Sequence, residues 1–318
     1  MLGFLTWNLD PILLHLGPLQ IRYYGVMFAL TIYTGFWVWQ RQALRNRETP
    51  AFAEEFLWYG VVAIVGGARL GHCLFYEPMT YLKNPITILY FWQGGLASHG
   101  ATVGLILALW LFARKHKTSW FRVSDYLAPA IAIAAGGVRV GNFFNSEIVG
   151  RVTDVPWGVQ FLRYCQMEGI PAAECAPRHP SQAYEFFMGV LTYFVLMGLQ
   201  KADIRRAGSG FFGGVFLTMY FSFRFLVEFF KEFQTEQLRT EGPLGAIEQS
   251  IGYHFTMGQW LSVIPVAMGL WMIARAMLQK KDDFAAPMSL EELKPILAAA
   301  RANPGQPTPA PAKTKNKK

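Results

Sequence analysis

Arg69, Arg139, Arg224 and His99 each lie inside a long apolar run, where lipid hydrocarbon would otherwise surround them. A guanidinium is permanently charged, and its planar fork matches phosphate or carboxylate with parallel donors. An imidazole exchanges protons near neutrality. Ionisable groups at membrane depth are costly and mark function, so this set points to chemistry on an anion and a proton within a bilayer. The richest stretch is Gly136 to Glu147, which brings Arg139, Asn142, Asn145 and Glu147 into one segment. The second apolar run carries Gly66-Gly67-Ala68-Arg69-Leu70-Gly71, which repeats the Gly and Arg spacing of Gly136 to Gly141, with Glu77 in the register of Glu147. A remnant of an internal repeat and a coincidence in a Gly-rich chain both fit. In either case Gly67/Gly71 and Gly137/Gly141 give each helix a small face for close helix contact.

The elements that must carry these residues follow from composition. Of 318 residues, 53% are hydrophobic and only 16% charged, too apolar for a soluble domain of this size. Seven runs near 21–40, 56–76, 95–113, 126–144, 183–200, 210–230 and 258–279 approach the ~20 residues needed to span a bilayer. The fold expected is an all-α integral membrane protein of seven transmembrane helices. Residues 41–55, 114–125, 200–209 and 275–318 hold 19 Lys and Arg, against 6 in 1–20, 77–94, 145–182 and 231–257. Basic loops favour the cytoplasm, which predicts the N-terminus outside and the C-terminus inside. The net charge of +8 is largely this bias and a basic tail, so no nucleic-acid partner is called for.

The rest of the chain divides accordingly. Residues 1–281 are read as one transmembrane catalytic domain, with 1–20 as an amphipathic element on the outer surface and 145–182 as a small extracytoplasmic head. Within the head, Val152 to Phe161 could form short strands. Loop 231–257 is expected over the outer face. Residues 282–318, rich in Pro, Ala and Lys, are expected to be a largely disordered cytoplasmic tail. Cys165 and Cys175 share the head, where a disulfide and two free thiols are both open. No Cys/His cluster has zinc-ligand spacing.

Counting along each helix at ~1.5 Å per residue brings the polar residues to a common level. Arg69 follows Glu55 by fourteen residues, Arg139 follows Asp125 by fourteen and Arg224 follows Gly210 by fourteen. Each is therefore about 21 Å from the inner boundary, and His99, fifteen residues before Arg114, is about 22 Å from it. Three guanidiniums at one depth repel unless an anion lies among them. Glu147 and Glu228 could supply part of that charge, and the phosphate of an outer-leaflet lipid headgroup the rest. His99 stands in the small-residue run Gly94 to Gly104, open either to a core role or to acting as a general base beside a substrate. A transporter or anion channel would spread such charges across the full depth of the membrane. An intramembrane serine protease would need Gly208-Ser209-Gly210, at the cytoplasmic edge, to meet His99 some 20 Å away.

Ordered motifs carry a resemblance. They are Arg22-Tyr23-Tyr24-Gly25, Gly66 to Gly71, Ser98-His99-Gly100, Val123-Ser124-Asp125, Gly136 to Glu147 with Gly150-Arg151, Arg178 to Glu185, Phe223 to Phe230 and Met257-Gly258-Gln259. Over residues 10–280 the chain resembles the prolipoprotein diacylglyceryl transferase family of bacterial membrane enzymes. Two departures stand out: the usual Asn-Gly-Glu reads Asn145-Ser146-Glu147, and residues 234–256 and the tail after Lys281 are this member's own.

The resemblance implies transfer of a diacylglyceryl group from phosphatidylglycerol to the lipobox cysteine of exported prolipoproteins. The product would be a thioether, with glycerol 1-phosphate released, in the inner membrane and at its outer leaflet. The partners implied are phosphatidylglycerol, prolipoproteins and membrane lipids, and neither cofactor nor metal is required. His99 is the candidate base, with Arg139 and Arg224 as phosphate clamps. Tyr24, Arg69, Asn142, Glu147 and Glu228 are candidates for binding the headgroup or orienting the arginines. Each has a plainer alternative, such as an interfacial anchor for Tyr24 or ion pairing for the glutamates. Glu147, Glu228 and Tyr24 remain open as the base. Ser181 and Gln182 are expected to cap the fifth span.

Overall fold

The computed structural model describes residues 4–17, 19–90, 95, 97–232 and 255–302. It is helical, with four short strands. In chain order, β1 (Leu5–Trp7), β2 (Ile12–Leu16) and β3 (Leu19–Arg22) precede α1 (Tyr23–Arg45) and α2 (Pro50–Phe75). A short α3 (Pro78–Lys83) and a 3-10 turn (Pro85–Leu89) lead towards α4 (Ser98–Lys115) and α5 (Trp120–Phe144). The head contains β4 (Val159–Phe161) and α6 (Leu162–Met167), followed by α7 (Ser181–Lys201), α8 (Phe211–Val227), α9 (Met257–Leu278) and α10 (Leu290–Ala302).

A helix occupies each of the seven apolar runs. Among the described residues, five helices are long and apolar enough to cross a membrane: Pro50–Phe75, Trp120–Phe144, Ser181–Lys201, Phe211–Phe230 and Gly258–Leu278. Local chemistry starts them. Thr49 accepts the Phe52 N–H at 3.2 Å, with Pro50 at the first helical position of α2. Thr256 and Gln259 form a reciprocal capping box at α9. Pro129 in α5 and Pro265 in α9 lie inside helices, which membrane segments tolerate where neighbouring groups satisfy the freed backbone.

The chain forms two compact units. The first comprises Met1–Trp37, Ala128–Arg205 and Phe211–Gln279. Its helices meet through small residues: a Cβ on Gly189 would stand 2.7 Å from the Ala132 carbonyl, and one on Gly137 would stand 2.5 Å from Thr31 Oγ1. Such contacts replace the hydrophobic drive that lipid removes. The head belongs to this unit. β1 pairs in parallel with β4, Leu5 opposite Val159 and Trp7 opposite Phe161, so the strand expected within 152–161 forms at 159–161. Trp7 packs on Phe143 with ring centroids 4.7 Å apart. A Cys165–Cys175 disulfide closes the head. The described part of residues 1–20 carries strands: β2 and β3 form an antiparallel hairpin that exposes Leu13, Leu14 and Leu16.

The second unit comprises Val38–Leu127, Arg206–Gly210 and Lys280–Lys318. Gly67, Gly71 and Gly100 bring α2 and α4 into backbone contact, so that a Cβ on Gly71 would lie 2.7 Å from the Gly100 Cα. Trp39 lies among Phe52, Phe56, Phe112 and Tyr126 and donates its indole N–H to the Ala53 carbonyl at 3.0 Å. The buried Asp125 carboxylate accepts the Gly208 and Gly210 amides, each at 2.8 Å.

The tail departs from the disorder expected of it. Order continues past residue 281: a 3-10 turn (Lys281–Asp283) and α10 follow. Met288 and Leu293 pack on Leu44, and the Met288 amide donates to the Arg45 carbonyl at 2.7 Å. Composition concealed this because four apolar side chains of this segment, Met288, Leu293, Ile296 and Leu297, suffice to dock it around Leu44. Residues 303–318, most of loop 231–257, Gly94 and Leu96 lie outside the described residues.

Candidate active site

In the first unit, Arg139 sits one helical turn before Asn142, which α5 places on the same face. Its Nη1 donates to Asn142 Oδ1 at 3.3 Å, and Asn142 Nδ2 donates in turn to Glu147 Oε2 at 3.3 Å. Asn145 Nδ2 holds the other oxygen of Glu147 at 3.0 Å. The turn that aims Glu147 back along α5 uses left-handed backbone at Ser146, φ 56°.

The turn is bolted to α7. Gln182 Nε2 donates to the Glu147 carbonyl at 2.6 Å and Ser181 Oγ to the Ile148 carbonyl at 2.6 Å. Ser181 and Gln182 are therefore structural, but they tie two segments together instead of capping α7, which has no side-chain cap. This geometry sets Glu185, one turn further along α7, beside α5.

Glu185 is the centre of the cluster. Its carboxylate, 1% exposed, forms an ion pair through Oε2 with Arg139 Nε. Its Oε1 lies 3.2 Å from Lys231 Nζ, which also approaches Glu228 Oε2 at 3.3 Å. Arg224 and Tyr220 on α8 lie within electrostatic reach of the same carboxylate. Glu228 pairs with Lys231, three residues on, and not with Arg224 at the i, i+4 spacing of a continuing helix. α8 ends at Val227 and a 3-10 turn, Glu228–Phe230, re-aims the chain. Tyr24 packs edge-close on α5 where Gly141 leaves room, since a Cβ there would stand 2.9 Å from its ring. It lies in the field of Arg139 and Glu147.

The fold thus gathers Tyr24, Arg139, Asn142, Glu147, Arg224 and Glu228 from three separate stretches. It adds Glu185 and Lys231, which the sequence reading did not single out. Glu185 had a signal, being the one carboxylate in the fifth apolar run, and such residues are functional by default. Lys231 had none, because it follows the last helical turn in a polar stretch.

His99 and Arg69 belong to the second unit. His99 is the second residue of α4, with an exposed side chain. Arg69 is 5% exposed and donates to backbone: Nε to the Ile88 carbonyl at 2.9 Å, Nη2 to Thr87 at 2.7 Å and Nη1 to Gly95 at 3.3 Å.

An apolar groove of about 560 Å³ runs between α7 and α8, lined by residues such as Phe187, Leu191, Phe194, Phe223 and Phe230. Glu185 and Arg224 are not in its walls, so the groove suits hydrocarbon and not an anion.

Outside the spans, burial pushes the His179 imidazole below its ordinary value, against the opposing pull of Asp154. His179 Nδ1 and the Tyr184 hydroxyl are 3.0 Å apart, and Trp157 Nε1 donates to the same hydroxyl at 2.8 Å.

These features define a multi-pass helical membrane protein that buries an arginine–carboxylate–lysine network among its helices. The family comparison is specific. The chain belongs to the prolipoprotein diacylglyceryl transferase family, whose model matches residues 11–275. It is 40% identical over 268 residues to the phosphatidylglycerol–prolipoprotein diacylglyceryl transferase of Nitrosomonas europaea, covering 83% of this chain and 88% of the relative. It is 39% identical to the enzyme of the same name from Nitrosospira multiformis, covering 85% and 87%. The Tolumonas auensis enzyme of that name is also 39% identical, covering 87% and 99%.

Proposed function

We propose that this chain transfers the diacylglyceryl group of phosphatidylglycerol to the lipobox cysteine of exported prolipoproteins, as the first step of lipoprotein maturation. The observation that carries the reading is the match to enzymes of that name over nearly their whole length. The thiol must lose its proton, for which His99 is the proposed base. The thiolate attacks the glycerol CH₂ that bears the phosphate. A C–S bond forms, the C–O bond breaks, and its electron pair leaves on the phosphate oxygen, giving a thioether and glycerol 1-phosphate.

Charge builds on the departing phosphate, and Arg139 and Arg224 are the proposed clamps. Desolvation supports this role, because a guanidinium removed from water acts more strongly on an anion. Asn142 and Glu147 orient Arg139 from one side and Glu185 from another, Glu228 holds Lys231, and Tyr24 is proposed at the headgroup.

The wider reading is a seven-span protein of the bacterial inner membrane, N-terminus outside, with a catalytic domain of residues 1–281 and a cytoplasmic tail from 282. The Lys/Arg bias supports the orientation, and the Cys165–Cys175 disulfide supports a head at 145–182 in an oxidising compartment. Counted depth along the helices supports chemistry at the outer leaflet, where lipid donor and exported acceptor are both available.

Purified protein mixed with phosphatidylglycerol and a lipobox peptide should form the thioether. His99→Gln, Arg139→Ala and Arg224→Ala, still folded, should each lose most of this activity. Lipidation of a peptide with Ser in place of the lipobox Cys would remove the thiol from the scheme.

A further inference from the structure

We infer that Arg69 is a positioning residue: it clamps the connection leading into α4 against α2 and so fixes the start of the helix that presents His99. The inference rests on the role proposed for His99. It gives Arg69 a task different from that of Arg139, although the two stand in the same glycine motif.

The difference lies in what each guanidinium faces. Arg139 meets side chains, Glu185 through Nε and Asn142 through Nη1. Arg69 places all three of its nitrogens on main-chain carbonyls, Thr87 and Ile88 before residues 91–94 and Gly95 after them. The first two carbonyls end a 3-10 turn, Pro85–Leu89: Thr87 also accepts the Tyr90 amide at 3.1 Å, and Ile88 lies in the last turn, where a helix end leaves acceptors over. An acceptor left over at a helix end must be satisfied from elsewhere, and a planar fork with several fixed donors serves several at once. The guanidinium also lies 5.0 Å from the Tyr81 ring centroid. A phosphate taking this fork would draw it from the Ile88 and Gly95 carbonyls it now serves.

Ala97 gives α4 no side-chain cap. The Ala97 amide donates to the Ala68 carbonyl at 2.9 Å, one residue from Arg69. Gly95 has φ 69°, and a Cβ there would stand 2.6 Å from the His72 ring and 2.8 Å from Arg69 Nη1. Only glycine fits both that backbone and that space. Arg69 and the Ala68 carbonyl thus fix the approach, Gly67, Gly71 and Gly100 fix the first turn, and His99 lies between them.

The test joins hydrogen exchange of the purified full chain, read without substrate, to transfer kinetics. Arg69→Ala should speed exchange of the amides in 84–90 and 97–101 at least about tenfold. It should lower kcat about 100-fold, as expected for a displaced catalytic group, with KM for phosphatidylglycerol little changed. Arg69→Lys, which keeps the charge but loses the fork, should show most of both effects, and it serves as the readout should the alanine variant not fold. Wild-type exchange in either variant overturns the proposal. So does a raised KM with kcat retained, which would make Arg69 a direct headgroup ligand. Because exchange is read without substrate, its result stands apart from whether His99→Gln abolishes transfer.

Discussion

Arg139 turns its Nε edge to Glu185, and that carboxylate, shared with Lys231, is almost wholly buried between α5 and α7. The pairing explains how a guanidinium can stay charged in a desolvated place. Glu185 neutralises and orients it while the Nη1 side is steered by Asn142.

Removing the charge at that centre should therefore harm both stability and catalysis. Glu185→Gln leaves Arg139 and Lys231 buried without their shared partner, and breaking such a pair costs about 3–5 kcal/mol. Denaturant melts and the thioether assay should both show the loss. Adding Arg139→Met, which removes the cation left without a carboxylate while Lys231 keeps Glu228, should restore part of the stability. A double variant less stable than Glu185→Gln alone would argue against a shared buried charge.

Ser146 sits in left-handed backbone, where its Cβ is strained, and its hydroxyl is buried with no hydrogen-bond partner among the described residues. Ser146→Gly should stabilise the fold by about 1 kcal/mol and leave transfer intact, because the Glu147 carboxylate keeps its place. An unchanged or lower melting point would mean that the turn relaxes around serine.

The Cys165–Cys175 disulfide closes a ten-residue separation in the head. A loop of this length is worth about 2–3 kcal/mol through the unfolded state. Cys165→Ser should lower stability by that order. Because the head carries β4, which pairs with β1, amide protection at Val159–Phe161 should fall in parallel. In intact cells, alkylation should label the wild-type pair only after reduction.

The segment after α9 should act as a strap on the second unit. Arg206 pairs with Asp282 at 3.1 Å and donates to the Phe284 carbonyl at 3.0 Å, while Met288 and Leu293 pack on Leu44. Ending the chain at residue 280 should lower thermal stability and raise exchange at residues 44–48, with transfer chemistry largely kept.

Acid should loosen the surroundings of His179. Its imidazole titrates below the ordinary value of about 6.5 because burial disfavours the cation. The folded state therefore prefers it neutral, so its contribution is complete above the ordinary value and lost as pH falls through the depressed one. Stability measured against pH should fall across that window and flatten in His179→Gln.

By itself the sequence determined the helices, the polar intruders within them and the family. Hydropathy over twenty residues is a local property, and a bilayer accepts few backbones other than helices. It also marked Gly67/Gly71 and Gly137/Gly141 as packing faces, because small residues at i, i+4 have one main use in lipid. The choice of partner for each charge was decided by the tertiary structure alone. Glu185 meets Arg139, Lys231 joins two carboxylates, Arg69 turns to backbone carbonyls, and α10 docks on Leu44. Those outcomes depend on through-space distances between segments far apart in the chain, and neither spacing nor composition encodes them.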